Sequence, residues 1–239
     1  MRLDRFLCEM NIGTRSQVKT LIRQGTVTVN GAAALSPELR VDEASDKIAF
    51  HGKELLYRRF VYYMMNKPDG VVSASRDRAA RTVVSLLGED AREGIFPVGR
   101  LDKDVTGLLL LTNDGELAHR LLSPRKHVDK TYRAVLEHGL RPEEIRRIET
   151  GLHIGEAQPT LPARVTVLEE RIILLTLQEG RFHQVKRMLQ AVGNEVLQLQ
   201  RTAFGGLALD HSLRLGEYRE LTTEELDTLR RNSGERIIP

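Results

Sequence analysis

Gly99-Arg100-Leu101-Asp102-Lys103-Asp104-Val105-Thr106-Gly107-Leu108-Leu109-Leu110-Leu111-Thr112-Asn113-Asp114-Gly115 decides how this chain is read. Four consecutive leucines bounded by Gly107 and a polar turn form the pattern of a buried strand. Asp102 falls at the mouth of that core element, where a carboxylate adds nothing to packing. Arg100 is two residues away, so on extended backbone both side chains point to the same side. A carboxylate held near a cation stays ionised and can act as nucleophile or base. The plain alternative is an aspartate turn that staples a loop.

The flanking sequence supplies the rest of a domain. A strand over 61–65 runs into the turn Asn66-Lys67-Pro68-Asp69-Gly70, and a second strand, Val71-Val72-Ser73-Ala74, leaves it. A short helix is expected near 83–87, and Asp114 caps another over 116–122. A strand over 131–137 follows. Pro142 suits a first helical position, Glu143 and Glu144 suit the positive end of that helix, and Gly151 stops it. Further strands are expected over 163–168, 172–177 and 196–199. Val185, Met188, Leu189 and Val192 mark an amphipathic helix ending at Gly193, and Thr222 with Glu225 caps a last helix. Strands outnumber helices and do not alternate with them. The expected class is therefore α+β, with a mixed, largely antiparallel central sheet flanked by helices.

The first 50 residues read as a separate small module. Leu3, Phe6, Leu7 and Met10 repeat at helical spacing, beside Arg2 and Arg5. Thr14 and Gln17 form a capping box for a second helix, Val18, Leu21 and Ile22 are its apolar stripe, and Gly25 ends it. Arg15, Lys19 and Arg23 lie at successive i+4 positions and make one ridge of positive charge, shaped to follow a phosphate backbone. A strand over 26–29, an Asn30-Gly31 hairpin turn and a strand over 47–50 complete a small sheet. Residues 51–60 look like a polar connection. The expected division is 1–48 for the module, 49–59 for a linker and 60–239 for the main domain.

Composition narrows the class of partner. The chain has 239 residues, 41% of them hydrophobic, and a formal charge of only +3, yet its isoelectric point is about 9.1. Basic residues concentrate in 1–31 and again in 181–201 (Arg181, Lys186, Arg187, Arg201), while the tail from Asp210 leans acidic. Two basic patches on a nearly balanced chain point to a polyanion met at two places. One cysteine, Cys8, excludes an internal disulfide and fits a reducing compartment. No apolar run approaches a membrane span and no signal-peptide core opens the chain, so a soluble cytoplasmic protein is expected. His127 and His153 lack the clustered partners of a zinc site.

Residues 1–48 resemble the small RNA-binding module first described in ribosomal small-subunit protein four, through Arg2-Leu3-Asp4-Arg5-Phe6-Leu7, Thr14-Arg15-Ser16-Gln17-Val18 and Gly25-Thr26-Val27-Thr28-Val29-Asn30-Gly31. That module binds structured RNA and carries no chemistry. The main domain resembles the pseudouridine synthases, in particular the RsuA-type branch. The resemblance rests on Gly99–Gly115, on Lys130-Thr131-Tyr132, and on Glu179-Gly180-Arg181-Phe182-His183-Gln184-Val185-Lys186-Arg187-Met188, with Asn66-Lys67-Pro68 and Gly70 at the opening turn.

The resemblance implies isomerisation of a uridine within RNA, without cofactor or metal. Asp102 would be the catalytic carboxylate, attacking sugar or base or withdrawing a sugar proton. Tyr132 would stack on the flipped uracil and relay a proton. Lys186 would pair with Asp102, keeping it ionised and oriented; Asp104, close in sequence, is itself expected to face the surface. Arg100 would fill the space of the flipped base, since chemistry on a paired base requires it to leave the stack. Arg2, Arg5, Arg15, Lys19, Arg23, Lys130, Arg181, His183, Gln184 and Arg187 would hold RNA. The segment Phe182–Met188 looks like the small-subunit branch, which makes the expected partner 16S rRNA or the assembling small ribosomal subunit, with nothing demanding more than a monomer and no membrane. The competing readings are the same chemistry on 23S rRNA, a ribosome-assembly factor without turnover, and a glycoside hydrolase; the last needs a second acid near Asp102.

Overall fold

The computed structural model describes residues 1–92 and 94–235; the last four residues of the expected main domain lie outside them. Contacts divide the chain into a small unit, Met1–Val61 with Leu87–Ile95, and a large unit, Tyr62–Leu86 with the chain from Phe96 onward.

In the small unit, α1 (Leu3–Glu9) and α2 (Arg15–Arg23) precede β1 (Val27–Val29), β2 (Ala32–Ala33), β3 (Ile48–Phe50) and β4 (Lys53–Glu54), in the sheet order β2-β1-β3-β4. Thr14 and Gln17 make the expected capping box. Asn30 and Gly31, at φ 51° and 82°, turn β1 into β2. Leu3, Phe6, Leu7, Val18, Ile22, Val27 and Ile48 form the core. The expected linker over 49–59 is corrected in part. His51 and Gly52 take left-handed conformations and fold β3 back onto β4. Leu55 and Tyr57 then pack on the same core. Apolar residues in that stretch thus complete the small unit instead of spacing it.

The large unit contains β5 (Tyr62–Lys67), β6 (Phe96–Pro97), β7 (Thr106–Thr112), α3 (Gly115–Leu122), β8 (Lys130–Leu136), α4 (Pro142–Thr150), β9 (Arg164–Glu169), β10 (Ile172–Leu177), α5 (Gln184–Ala191), β11 (Val196–Phe204), β12 (Leu207–Ala208), β13 (Tyr218–Glu220) and α6 (Thr223–Asn232). Its sheet runs β13-β5-β7-β11-β8-β10-β9, with β12 on β11 and β6 on β7. Only the β7–β11 pair among these is parallel, so the sheet is mixed and largely antiparallel, with helices packed beside it. Leu108 to Leu111 are all buried. Successive side chains point to opposite faces, so a continuous apolar run marks a strand covered on both.

One expected strand fails for a reason of long-range pairing. Val71–Ala74 is no strand: Val72 makes a single bridge to Thr82. The edges of β5 are already taken by β7 and by β13 from the far end of the chain. The short helix expected near 83–87 is present as a 3-10 segment, Val84–Asp90, broken at Gly88. In the other direction, β11 extends five residues past its expected end to Phe204, because β7 and β8 pair with it from both sides. Gly107 makes the close approach possible: at φ 103° it faces Arg201, and a Cβ there would lie 2.8 Å from the Arg201 nitrogen and closer still to its carbonyl oxygen.

Candidate active site

The loop carrying Asp102 is held from both sides. Ser73 Oγ donates to the Leu101 carbonyl at 2.8 Å and accepts from the Leu101 amide at 3.0 Å. Lys67, buried completely, donates through Nζ to the carbonyls of Pro68, Lys103 and Val105 at 3.0, 3.1 and 2.9 Å. The Asp102 carbonyl accepts from the Val105 amide, closing a turn. Asp102 is thus set on a fixed loop with its side chain 28% exposed. Neither pinning role was read from the sequence, although Lys67 sits in the quoted Asn-Lys-Pro turn. The signal was a lysine at the inward end of an apolar strand.

The loop borders a cleft of about 400 Å³, lined also by the start of β8, the end of β10, the middle of β11 and the start of α5. Tyr132 on β8 stands in register with Arg201 on β11 and Leu175 on β10. Arg201 is only 2% exposed. Its Nε donates to the Leu108 carbonyl at 2.8 Å, its guanidinium lies 4.9 Å from the centre of the Phe204 ring, and its buried Nη2 has no hydrogen-bond partner among the described residues. Burial pushes this guanidinium below its ordinary range. Lys130, also buried, donates to the Val128 carbonyl at 2.7 Å, and desolvation lowers it to about 8.

The basic patch expected over 181–201 is corrected. Arg201 is internal, and two of the others spend their donors within the fold. Arg181 binds Glu179, Glu156 and the carbonyls of Gln158 and Pro159. Arg187 binds Glu156 and the carbonyls of Phe182 and Ile154. Gln184 is buried and bridges the Arg181 amide to Glu179. The acids that neutralise this stretch lie outside it in sequence, so a window count misses them.

The partners of the acids also differ from expectation. Lys186 pairs with Asp104, its Nζ 2.7 and 2.6 Å from the two carboxylate oxygens, so Asp104 is engaged and Lys186 does not sit on Asp102. The lysine in turn holds the Asp104 carboxyl below the usual range. The contact to Asp102 comes from His183, whose Nε2 is 3.5 Å from Oδ1. Arg100 is exposed at the cleft and makes no ion pair with Asp102 among the described residues. Asp102, Tyr132, Lys186, Arg100, Lys130, Arg181, His183 and Gln184 therefore all border one cleft.

In the small unit Arg2 is tied to Asp4 and Glu38, and Arg5 to Glu9. Arg15 and Arg23 are exposed and Lys19 half-buried, with no salt bridge to any of the three among the described residues. No helix is long and apolar enough to cross a membrane, and no group of His, Cys, Asp or Glu gathers as a metal site, among the described residues.

The cleft thus holds Asp102 on a pinned loop with Tyr132 and Glu179 in its lining, on a mixed sheet preceded in the chain by a small unit of two helices and four strands. The family described as RNA pseudouridylate synthase matches residues 61–191, and the S4 domain matches residues 1–48. This chain belongs to the RNA pseudouridylate synthase family and carries an S4 domain ahead of the synthase domain. Among its relatives is the uncharacterized RNA pseudouridine synthase YtzG of Bacillus subtilis, 47% identical over 96% of this chain and 98% of that protein. Ribosomal small subunit pseudouridine synthase A of Vibrio cholerae is 40% identical over 96% of this chain and 99% of its own length. Ribosomal large subunit pseudouridine synthase B of Bacillus subtilis is 39% identical over 96% and 95%. A crystal structure of a pseudouridylate synthase aligns over 96% of this chain and 99% of its own, at 38% identity and a TM-score of 0.69.

Proposed function

We propose that this enzyme converts one uridine of 16S rRNA to pseudouridine, with Asp102 as the catalytic carboxylate. The observation that carries the reading is the pinned loop: Ser73 and Lys67 fix the backbone on either side of Asp102 and present its carboxylate to the same cleft as Tyr132. Isomerisation breaks the bond from the sugar to a ring nitrogen, turns the base and forms a bond to a ring carbon. The carbon loses a proton and the nitrogen gains one, so no net oxidation occurs. A carboxylate held at fixed position suits attack on sugar or base or withdrawal of a sugar proton. The Tyr132 ring supplies a face on which the uracil can turn, and its hydroxyl a proton relay. Arg100 at the lip would occupy the space left in the RNA stack.

The small-subunit target is favoured by the relatives of that name and by the Phe182–Met188 segment. The 39% relative named for the large subunit favours 23S rRNA as the second reading. The S4 unit would add affinity through Arg15, Lys19 and Arg23, and the enzyme would act as a cytoplasmic monomer. The test is pseudouridine mapping on both rRNAs after incubation with the wild type and with Asp102→Asn. One new site in small-subunit rRNA, absent with the variant, is the expected result. A site in large-subunit rRNA overturns the target. RNA binding with no new site in either would favour an assembly factor.

A further inference from the structure

Phe182 is 69% exposed, more than any other large apolar side chain among the described residues. It is nevertheless held in place by its neighbours. The Phe182 carbonyl accepts from Arg187 Nη1 at 3.0 Å. The ring stacks on His183, centroids 3.8 Å apart and planes 19° from parallel. His183 is held at φ 50° at the start of α5, and its Nε2 reaches Asp102 Oδ1 at 3.5 Å. An imidazole thus covers one face of the phenyl ring, while the exposure leaves the other open. Both rings border the cleft.

A single exposed apolar side chain is ordinary on a protein surface; Phe182 differs in bordering the cleft and in stacking on the residue that reaches Asp102. A flat aromatic face in a cleft that also carries a cation at its lip, here Arg100, is the usual means of holding unpaired bases. The flipped uridine leaves a neighbour with one face unstacked. We propose that Phe182 is the stacking platform for that neighbouring nucleobase, a second base subsite at the lip of the cleft. The proposal rests on the reading of the cleft as the uridine site. The subsite is tolerant, since every base has a π face, but it favours purines, which cover more of the ring. Phe182 is then a specificity-determining residue, selecting the context of the target without touching the reacting atoms.

The chain contains no tryptophan, so Phe182→Trp introduces one reporter at the subsite. The probe is a single-stranded, mixed-sequence RNA nonamer at low salt. Phe182→Trp should bind it at least as tightly as the wild type, with its fluorescence quenched on saturation and more by a purine-rich than by an all-pyrimidine nonamer. Phe182→Ala should bind about ten-fold more weakly, within the range that one stacked base contributes. On rRNA that accepts pseudouridine, Phe182→Ala should raise KM about as much and change kcat less than about three-fold. Equal binding by wild type and Phe182→Ala, including no binding by either, overturns the platform, as does unquenched tryptophan in a saturated complex. The fluorescence reads stacking without turnover. Quenching with no pseudouridine formed would defeat the functional reading alone, and turnover without quenching would defeat the platform alone.

Discussion

Lys186 grips Asp104 with both carboxylate oxygens within 2.7 Å, while the neighbouring acid Asp102 has His183 at 3.5 Å. The ammonium expected to serve the proposed catalytic carboxylate is therefore parked on a residue two positions along the same loop. If Lys186 serves Asp102 once RNA is bound, Asp104 is its holder and not a participant. Lys186→Met should then lower the single-turnover rate about 10²-fold, the usual cost of removing one charge-stabilising donor. Asp104→Asn should keep at least about a third of the rate, because the lysine remains. Equal losses in the two variants would mean that the pair itself is required.

Lys67 gives stability an unusual pH dependence. Burial lowers its ammonium from the ordinary 10.5 to about 8. Between those values the unfolded chain holds a proton that the folded chain has released, so the unfolded state binds more protons and stability rises with pH. Below pH 8 both states are protonated and the contribution is flat. Lys130, lowered to about 8, acts with the same sign. Urea melts should show a gain of about 2 kcal/mol from Lys67 between pH 8 and pH 10, and Lys67→Met should lack that share. Parallel profiles for the two proteins would show that the three carbonyl acceptors keep Lys67 charged.

Gly107→Ala tests the crossing of β7 and β11. The substituent would strike the Arg201 backbone, which has no flexible end to yield, and the φ of 103° is itself unfavourable for alanine. A loss of about 3 kcal/mol or more is expected in chemical denaturation. A loss under about 1 kcal/mol would mean that the strands can separate without cost.

The α2 ridge should be read in the salt dependence of RNA binding. Replacing Arg15, Lys19 and Arg23 by glutamine should reduce the slope of log affinity against log salt by about 2 to 3, the release expected for three phosphate contacts. The paired Arg5, tied to Glu9, should change it less when replaced alone. An unchanged slope in the triple variant would place the ridge away from RNA.

Local chemistry made much of this legible in the sequence. The capping boxes at Thr14–Gln17 and Thr222–Glu225 depend on side chains three residues apart, and both form. The leucine block needs only its own apolar run to declare a buried strand. What escaped depends on distant partners. Val71–Ala74 has strand composition, but β13 occupies the edge of β5 where it would pair. Arg201 counts as one more surface charge until β7 and β8 close over β11 from either side. The residues bordering the cleft could be named from their motifs, whereas the choice of Asp104 over Asp102 by Lys186 is a matter of a few ångströms that no spacing encodes.

The parallel pairing of β7 with β11 also sets an order of events during synthesis. The S4 unit is built from Met1–Val61 with Leu87–Ile95, all of which precedes β8 in the chain. The strand that follows the Asp102 loop has no partner on its β11 side until residue 201 has emerged, and pairings between distant segments form slowly because a long loop must close first. N-terminal units fold first on the ribosome. A nascent chain thus owns a finished S4 unit for an interval in which its cleft does not yet exist, and any RNA held in that interval is held without being modified.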